Sequence, residues 1–126
     1  MGDIGGHSVT IQERMVKMYK ESIIENLLRD GMKKIGGRSY KFESPGNAGV
    51  PDRIVIFPDG KLEFVELKTR TGRLRPLQES KIRELRKFGQ TVHVIRGVDG
   101  LRVFFKSHGF GSVAASLEKK AEVDRR

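Results

Sequence analysis

The chain has no cysteine, so neither a disulfide framework nor a thiolate metal site can form, and its stability must come from packing or from a partner subunit. It has no apolar run of the roughly 18 residues that a membrane-spanning helix needs. A signal-peptide pattern is also missing, and the expectation is an intracellular protein. No internal repeat is present, nor a glycine-rich nucleotide loop of the GxxxxGK type. Negative charge is the scarcer sign: 16 Asp and Glu stand against 25 Lys and Arg, for a net charge of +9 and a pI near 10.1. That balance implies a polyanionic partner, with nucleic acid as the first candidate. An anionic membrane fits less well, because the basic residues are spread over loops and helices and no helix joins a basic face to a bulky aromatic one.

What remains is 126 residues, enough for one domain with a modest core. Residues 1–9 are glycine-rich, without periodicity, and are expected to be disordered. Residues 10–108 carry the domain, and residues 109–126, small and then charged, read as a C-terminal tail in which Glu118–Arg126 is a frayed helix or tail. Thr10 can cap a helix with Glu13 at the capping-box spacing. That helix continues, with a possible break near Tyr19 to Ser22, to Lys34, where Gly36 and Gly37 end it. Ile24, Leu28, Gly31 and Ile35 share its apolar stripe, and Gly31 permits close approach to a sheet. A strand at Ser39–Ser44 follows, then two further strands, a helix from Pro76 to Phe88 stopped by Gly89, and a last strand at Thr91–Arg96. His93 in that strand reads as a surface residue rather than a ligand. Gly97–Gly100 reads as a turn, and Leu101–His108 fits a short helix or a strand equally well. The order α-β-β-β-α-β gives an α/β fold with a small mixed sheet flanked by helices.

The organising stretch is GVPDRIVIFPDGKLEFVELK, Gly49 to Lys68. Two runs rich in β-branched and aromatic residues flank Pro58-Asp59-Gly60, so it reads as a hairpin with a three-residue loop and a glycine bulge. In that register Phe57 faces Lys61, Ile56 faces Leu62, Ile54 faces Phe64, and Asp52 falls opposite Glu66, with Lys68 on the same face. A two-residue loop would instead set Asp52 against Leu67. On the first reading, two carboxylates and one ammonium meet at the end of an apolar face formed by Ile54, Ile56, Leu62 and Phe64, taken as the core side. Facing carboxylates repel, and one lysine cannot neutralise both. A hard divalent ion, Mg²⁺ or Mn²⁺, suits them better than zinc, since neither histidine nor cysteine is close in sequence. The plainer alternative is a solvated ion-pair face. Against it stand the Gly46-Asn47-Ala48-Gly49 approach, which lets backbone or ligand come close, and the basic loop of Arg70, Arg73 and Arg75. Gln78, with Ile82 and Leu85 on one helix face, either caps that helix or bonds a water, Lys68 or a phosphate.

The segments SPGNAGVPDRIV and FVELKTRTGRLRPLQ resemble the PD-(D/E)xK nuclease superfamily and, within it, the virus-type replication-repair nuclease (VRR-NUC) domain, over roughly Ser22 to Arg96. The resemblance implies a restriction-endonuclease-like fold and metal-assisted hydrolysis of a DNA phosphodiester. It implies Asp52, Glu66 and the Leu67 carbonyl as metal ligands, Glu25 of the first helix as a further one, and Lys68 and Gln78 as catalytic side chains. Arg70, Arg73, Arg75 and Asn47 would contact DNA. It further implies a homodimer acting on branched, Holliday-junction-like DNA. A catalytically inactive basic DNA-binding module and a small basic interaction protein are the competing readings.

Overall fold

The computed structural model describes residues 19–126, so the helix start expected at Thr10 and Glu13 and the stretch 1–9 lie outside the described residues. Its centre is the hairpin of β2 (Arg53–Ile56) and β3 (Leu62–Lys68). Turn chemistry sets the register: the Gly60 N–H donates to the Phe57 carbonyl at 2.8 Å, and the Phe57 N–H to the Lys61 carbonyl at 2.9 Å. Gly60 takes the left-handed φ of 90° that closes such a loop. Asp59 Oδ1 accepts from the Lys61 N–H at 2.9 Å and holds the turn from outside. Ile56 pairs with Leu62, Ile54 with Phe64 and Arg53 with Val65, the three-residue-loop register. One step further along that ladder, Asp52 comes level with Glu66.

Strand β1 (Arg38–Lys41) lies antiparallel on β2, and β4 (Val92–Arg96) lies parallel on β3, giving the sheet order β1-β2-β3-β4. The parallel pair needs a crossover, supplied by α2 (Pro76–Lys87), with proline at its first position and Gly89 at φ 83° just past its end. Helix α1 (Glu21–Lys34) buries Ile24, Leu28, Gly31 and Met32, spaced to make one stripe.

The core lies on the side of the sheet opposite to the one expected. Val55, Phe57, Val65 and Leu67 are buried beneath the helices, whereas Ile54, Ile56 and Phe64 are only half-buried and Leu62 is 43 % exposed. In LEFVELK both parities carry apolar side chains, so alternation alone does not choose the buried face. Asp52, Glu66 and Lys68 therefore sit on the face of the sheet that is less covered.

Beyond Arg96 the expected turn and tail are helical. They form α3 (Gly97–Ser107), α4 (Gly111–Ser116) and α5 (Glu118–Arg125), and Val113, Ala114, Leu117 and Ala121 join the main core. Asp124, 1 % exposed, ties them down: its Oδ1 accepts from the Tyr19 N–H at 2.8 Å and its Oδ2 from the Val98 N–H at 2.9 Å. The Val98 N–H lies in the first turn of α3, where a carboxylate satisfies an otherwise unpaired donor and meets the positive end of the helix dipole. Among the described residues, no helix is long and apolar enough to cross a membrane.

Gly31 does allow a close approach, but its neighbour is the Phe105 ring of α3 rather than the sheet, and a methyl group there would run into that ring. Gly31→Ala should therefore destabilise the protein by about 1–3 kcal/mol through overpacking, outweighing the gain in helix propensity. Urea denaturation checks this; a variant as stable as the wild type would show that α1 and α3 are less tightly packed.

Candidate active site

Four pieces of chain converge on one cleft, one of them the start of α1 with Glu21. The hairpin end delivers Asp52, Glu66 and Lys68; the start of α2 delivers Gln78; and the loop before β2 closes the side with Gly49 and Val50. The cleft has a volume of about 360 Å³. Gly49, at φ 89°, lies where any side chain would collide with Leu77 of α2, so a glycine is what allows loop and helix to meet there.

The charges in the cleft do not balance. Asp52 Oδ1 is buried with no hydrogen-bond partner among the described residues. Burial pushes the Asp52 carboxyl above its ordinary range, Glu25 adds to this, and Arg53 with the backbone N–H groups of Asp52 and Leu67 pulls the other way. Glu66, 3 % exposed, is raised to about 7, first by desolvation and then by Asp52, against the pull of Lys68. Its Oε2 receives Lys68 Nζ at 3.5 Å and Gln78 Nε2 at 3.0 Å. Gln78 also accepts the Arg75 N–H on Oε1 at 2.8 Å. The capping and the chemical readings of Gln78 thus describe the two ends of one amide, which links the start of α2 to the acidic pair.

Glu25 is not brought into this group. Its Oε2 accepts from Arg53 Nη2 at 2.7 Å and Nε at 3.1 Å, and Arg53 is buried on the core side of the sheet. One helical turn earlier, Glu21 lines the cleft instead. Glu21 is exposed at the rim, yet partial loss of solvent and the proximity of Asp52 raise its carboxyl above the ordinary range, with Lys68 opposing. A glutamate pair spaced i, i+4 was visible in the sequence; which member meets the cleft depends on the helix's rotation over the sheet.

The expected DNA contacts divide. Arg75 lines the cleft, and Arg73 is exposed in the same loop. Arg70 donates Nε to the Asp124 carbonyl at 3.0 Å, and Arg96 donates Nε to the Gly72 carbonyl at 3.0 Å, so two arginines brace that loop from below. Asn47 is exposed and bonds within its own turn, to Ser44 Oγ at 3.0 Å. The Leu67 side chain is buried in the core, which leaves only its backbone available to the cleft.

His93 departs from its expected surface role. It is half-buried, and its Nε2 lies 2.6 Å from Glu63 Oε1, with His108 Nε2 3.0 Å from the same oxygen. Burial pushes the Glu63 carboxyl up, but the two histidines outweigh it and hold the group below its usual range. These partners are 30 and 45 residues from Glu63 in sequence.

An under-neutralised acid pair with an adjacent lysine thus lines a cleft on one face of a mixed sheet. The chain belongs to the VRR-NUC domain family, whose sequence profile matches residues 7–99. It is 40 % identical over 84 residues, 67 % of this chain and 90 % of the relative, to "Putative nuclease p44" of Acyrthosiphon pisum secondary endosymbiont phage 1. It is also similar to a solved VRR-NUC domain at 27 % identity and a TM-score of 0.58, a match covering 78 % of this chain and 94 % of that one.

Proposed function

We propose that this protein is a divalent-metal-dependent endonuclease that hydrolyses phosphodiester bonds in branched DNA as a homodimer. The observation that supports it most is the buried, unpartnered Asp52 Oδ1 beside a Glu66 whose carboxyl is raised to about 7. Such a pair is costly without a cation, and its all-oxygen chemistry fits Mg²⁺ or Mn²⁺. Asp52, Glu66 and the Leu67 carbonyl would hold the ion, with Glu21 taking the helix position first assigned to Glu25. When bound, it would polarise a phosphate oxygen and lower the pKa of a water.

The chain's own groups do the rest. Lys68, a compact cation with rotatable donors, orients the attacking water or meets charge developing on the phosphate. Water adds to phosphorus as the bond to the leaving oxygen breaks, leaving a phosphate on one strand end and a hydroxyl on the other. Gln78 donates to the same Glu66 oxygen that Lys68 approaches and helps to fix it. Arg73 and Arg75 attract the DNA backbone, and the net charge of +9 draws it in from a distance. A branched substrate calls for two symmetric cuts, hence two copies. Tyr40 and Leu62, 52 % and 43 % exposed on the cleft side of the sheet, are apolar groups that a dimer contact could cover.

Incubation with labelled four-way junction, flap and linear duplex, each with Mg²⁺, Mn²⁺ or chelator, tests the reading. Cutting of the junction with either ion and none in chelator is expected. Salt-dependent binding without cutting under any ion would instead establish a DNA-binding module. Gln78→Ala should slow single-turnover cleavage more than it weakens DNA binding, and equal losses would assign Gln78 to binding.

A further inference from the structure

The cluster of Glu63, His93 and His108 shares no residue with the cleft. By strand alternation Glu63 projects from the core side of the sheet, while Glu66 projects from the other. His93 stands on β4 beside Val65, and His108 follows the last residue of α3. The ligand atoms of the three all lie within 4.8 Å of one another.

The hydrogen-bond pattern shows what the imidazoles offer. His108 Nδ1 lies 2.7 Å from the Phe104 carbonyl, which can only accept, so Nδ1 carries a proton. In the neutral ring, Nε2 then presents a lone pair towards Glu63 Oε1, and a cation must lie between them, either a proton or a metal ion. Backbone anchoring of Nδ1 with Nε2 turned towards a carboxylate is an arrangement that suits histidine to a metal. Both rings are held in place: His108 stacks on Phe57 with centroids 4.6 Å apart, and His93 meets Phe104 edge-on at 5.1 Å.

We infer that Glu63, His93 and His108 form a second metal site, separate from the cleft, for a borderline transition ion such as Zn²⁺. Two imidazoles and a carboxylate make a tetrahedral three-ligand set, and imidazole selects against Mg²⁺. Bonds of roughly 2.0–2.1 Å place tetrahedral ligands about 3.3 Å apart. The present 2.6 and 3.0 Å separations reach that with a slight opening of the side chains. The fourth position would face the adjoining pocket, about 400 Å³ in volume and lined by Asp59, Lys61 and Phe110. The ion would fasten the C-terminus of α3 to β3 and β4, and the inference is independent of the nuclease reading.

The test uses the whole protein, stripped with chelator and dialysed, then titrated with Co²⁺ while visible absorption is read and with Zn²⁺ in competition. One equivalent is expected to give the intense bands of tetrahedral cobalt, Zn²⁺ to displace it, and Zn²⁺ to raise the melting temperature. His93→Gln and His108→Gln should each weaken binding by more than the roughly 10–100-fold that losing an outer-shell partner costs. Circular dichroism establishes that each variant is folded, and if one is not, the other decides. An Asp52→Asn/Glu66→Gln double variant should keep the cobalt spectrum. No tetrahedral spectrum in the wild type, or one that survives both histidine substitutions, would overturn the site and leave the trio as an ion pair. Loss of the spectrum only in the double variant would assign the cobalt to the cleft and overturn it equally.

Discussion

Glu66→Gln is expected to abolish cleavage and, in chelator at about pH 8, to make the protein more stable than the wild type. The carboxyl of Glu66 is raised to about 7 from an ordinary 4.5. A carboxyl raised in the folded state favours folding fully below its unfolded pKa, and that contribution is lost as pH rises through the folded value. The metal-free wild type should therefore lose stability between about pH 4.5 and 7. The loss is roughly 3 kcal/mol at face value, and about half that once solvent in the open cleft screens the charges. Glutamine retains an acceptor for Gln78 and carries no charge, so the variant should show a shallower profile over the same window, its remaining slope coming from Asp52 and Glu21. Asp52 and Glu21 shift in the same direction and steepen the wild-type curve. Mg²⁺ should reverse the order of stability by binding the wild type and not the variant. Thermal melts across pH, with and without Mg²⁺, read all of this. A Glu66→Gln protein that is less stable at high pH in chelator would mean the acids are already compensated by other groups.

Asp124→Ala should cause a large loss of stability, on the order of 3 kcal/mol, because it strips acceptors from the Tyr19 and Val98 N–H groups. The second of these bonds is buried at the first turn of α3, where water cannot replace the carboxylate. The same substitution loosens α5, whose Asp124 carbonyl holds Arg70 below the basic loop. Denaturation in urea gives the magnitude, and a change under about 0.5 kcal/mol would show that the C-terminal helices are peripheral after all. Asp124→Asn should fall between, since one of its two side-chain oxygens survives as an acceptor.

The hairpin was legible in the sequence because its information is local. Pro58, Asp59 and Gly60 determine loop length, loop length determines register, and register brings Asp52 level with Glu66. The choice of buried face was not legible, because Phe64 and Val65 are equally able to enter a core and the decision rests on where α1 and α3 pack. Which glutamate of the first helix lines the cleft was not legible for a related reason. Glu21 and Glu25 share a face, and only the buried partner Arg53 reveals which one is occupied elsewhere. That the C-terminal helices join the core was not legible, because Val113, Ala114 and Ala121 are small and their carboxylate anchor is a single buried Asp124. The histidine cluster was unreadable in principle, since it joins two strands and a helix end across long separations with no local motif.

The proposed function has Asp52, Glu66 and Lys68 cutting DNA together with the help of a divalent ion. Its most direct test is cleavage of one labelled four-way junction by wild type, Asp52→Asn and Lys68→Ala at matched concentration, each shown to be folded, with Mg²⁺ or chelator. Cutting by the wild type with Mg²⁺ alone is expected, with rates lower by at least about 10²-fold in both variants while junction binding persists. Cutting by either variant at the wild-type rate, or by the wild type in chelator, would contradict it.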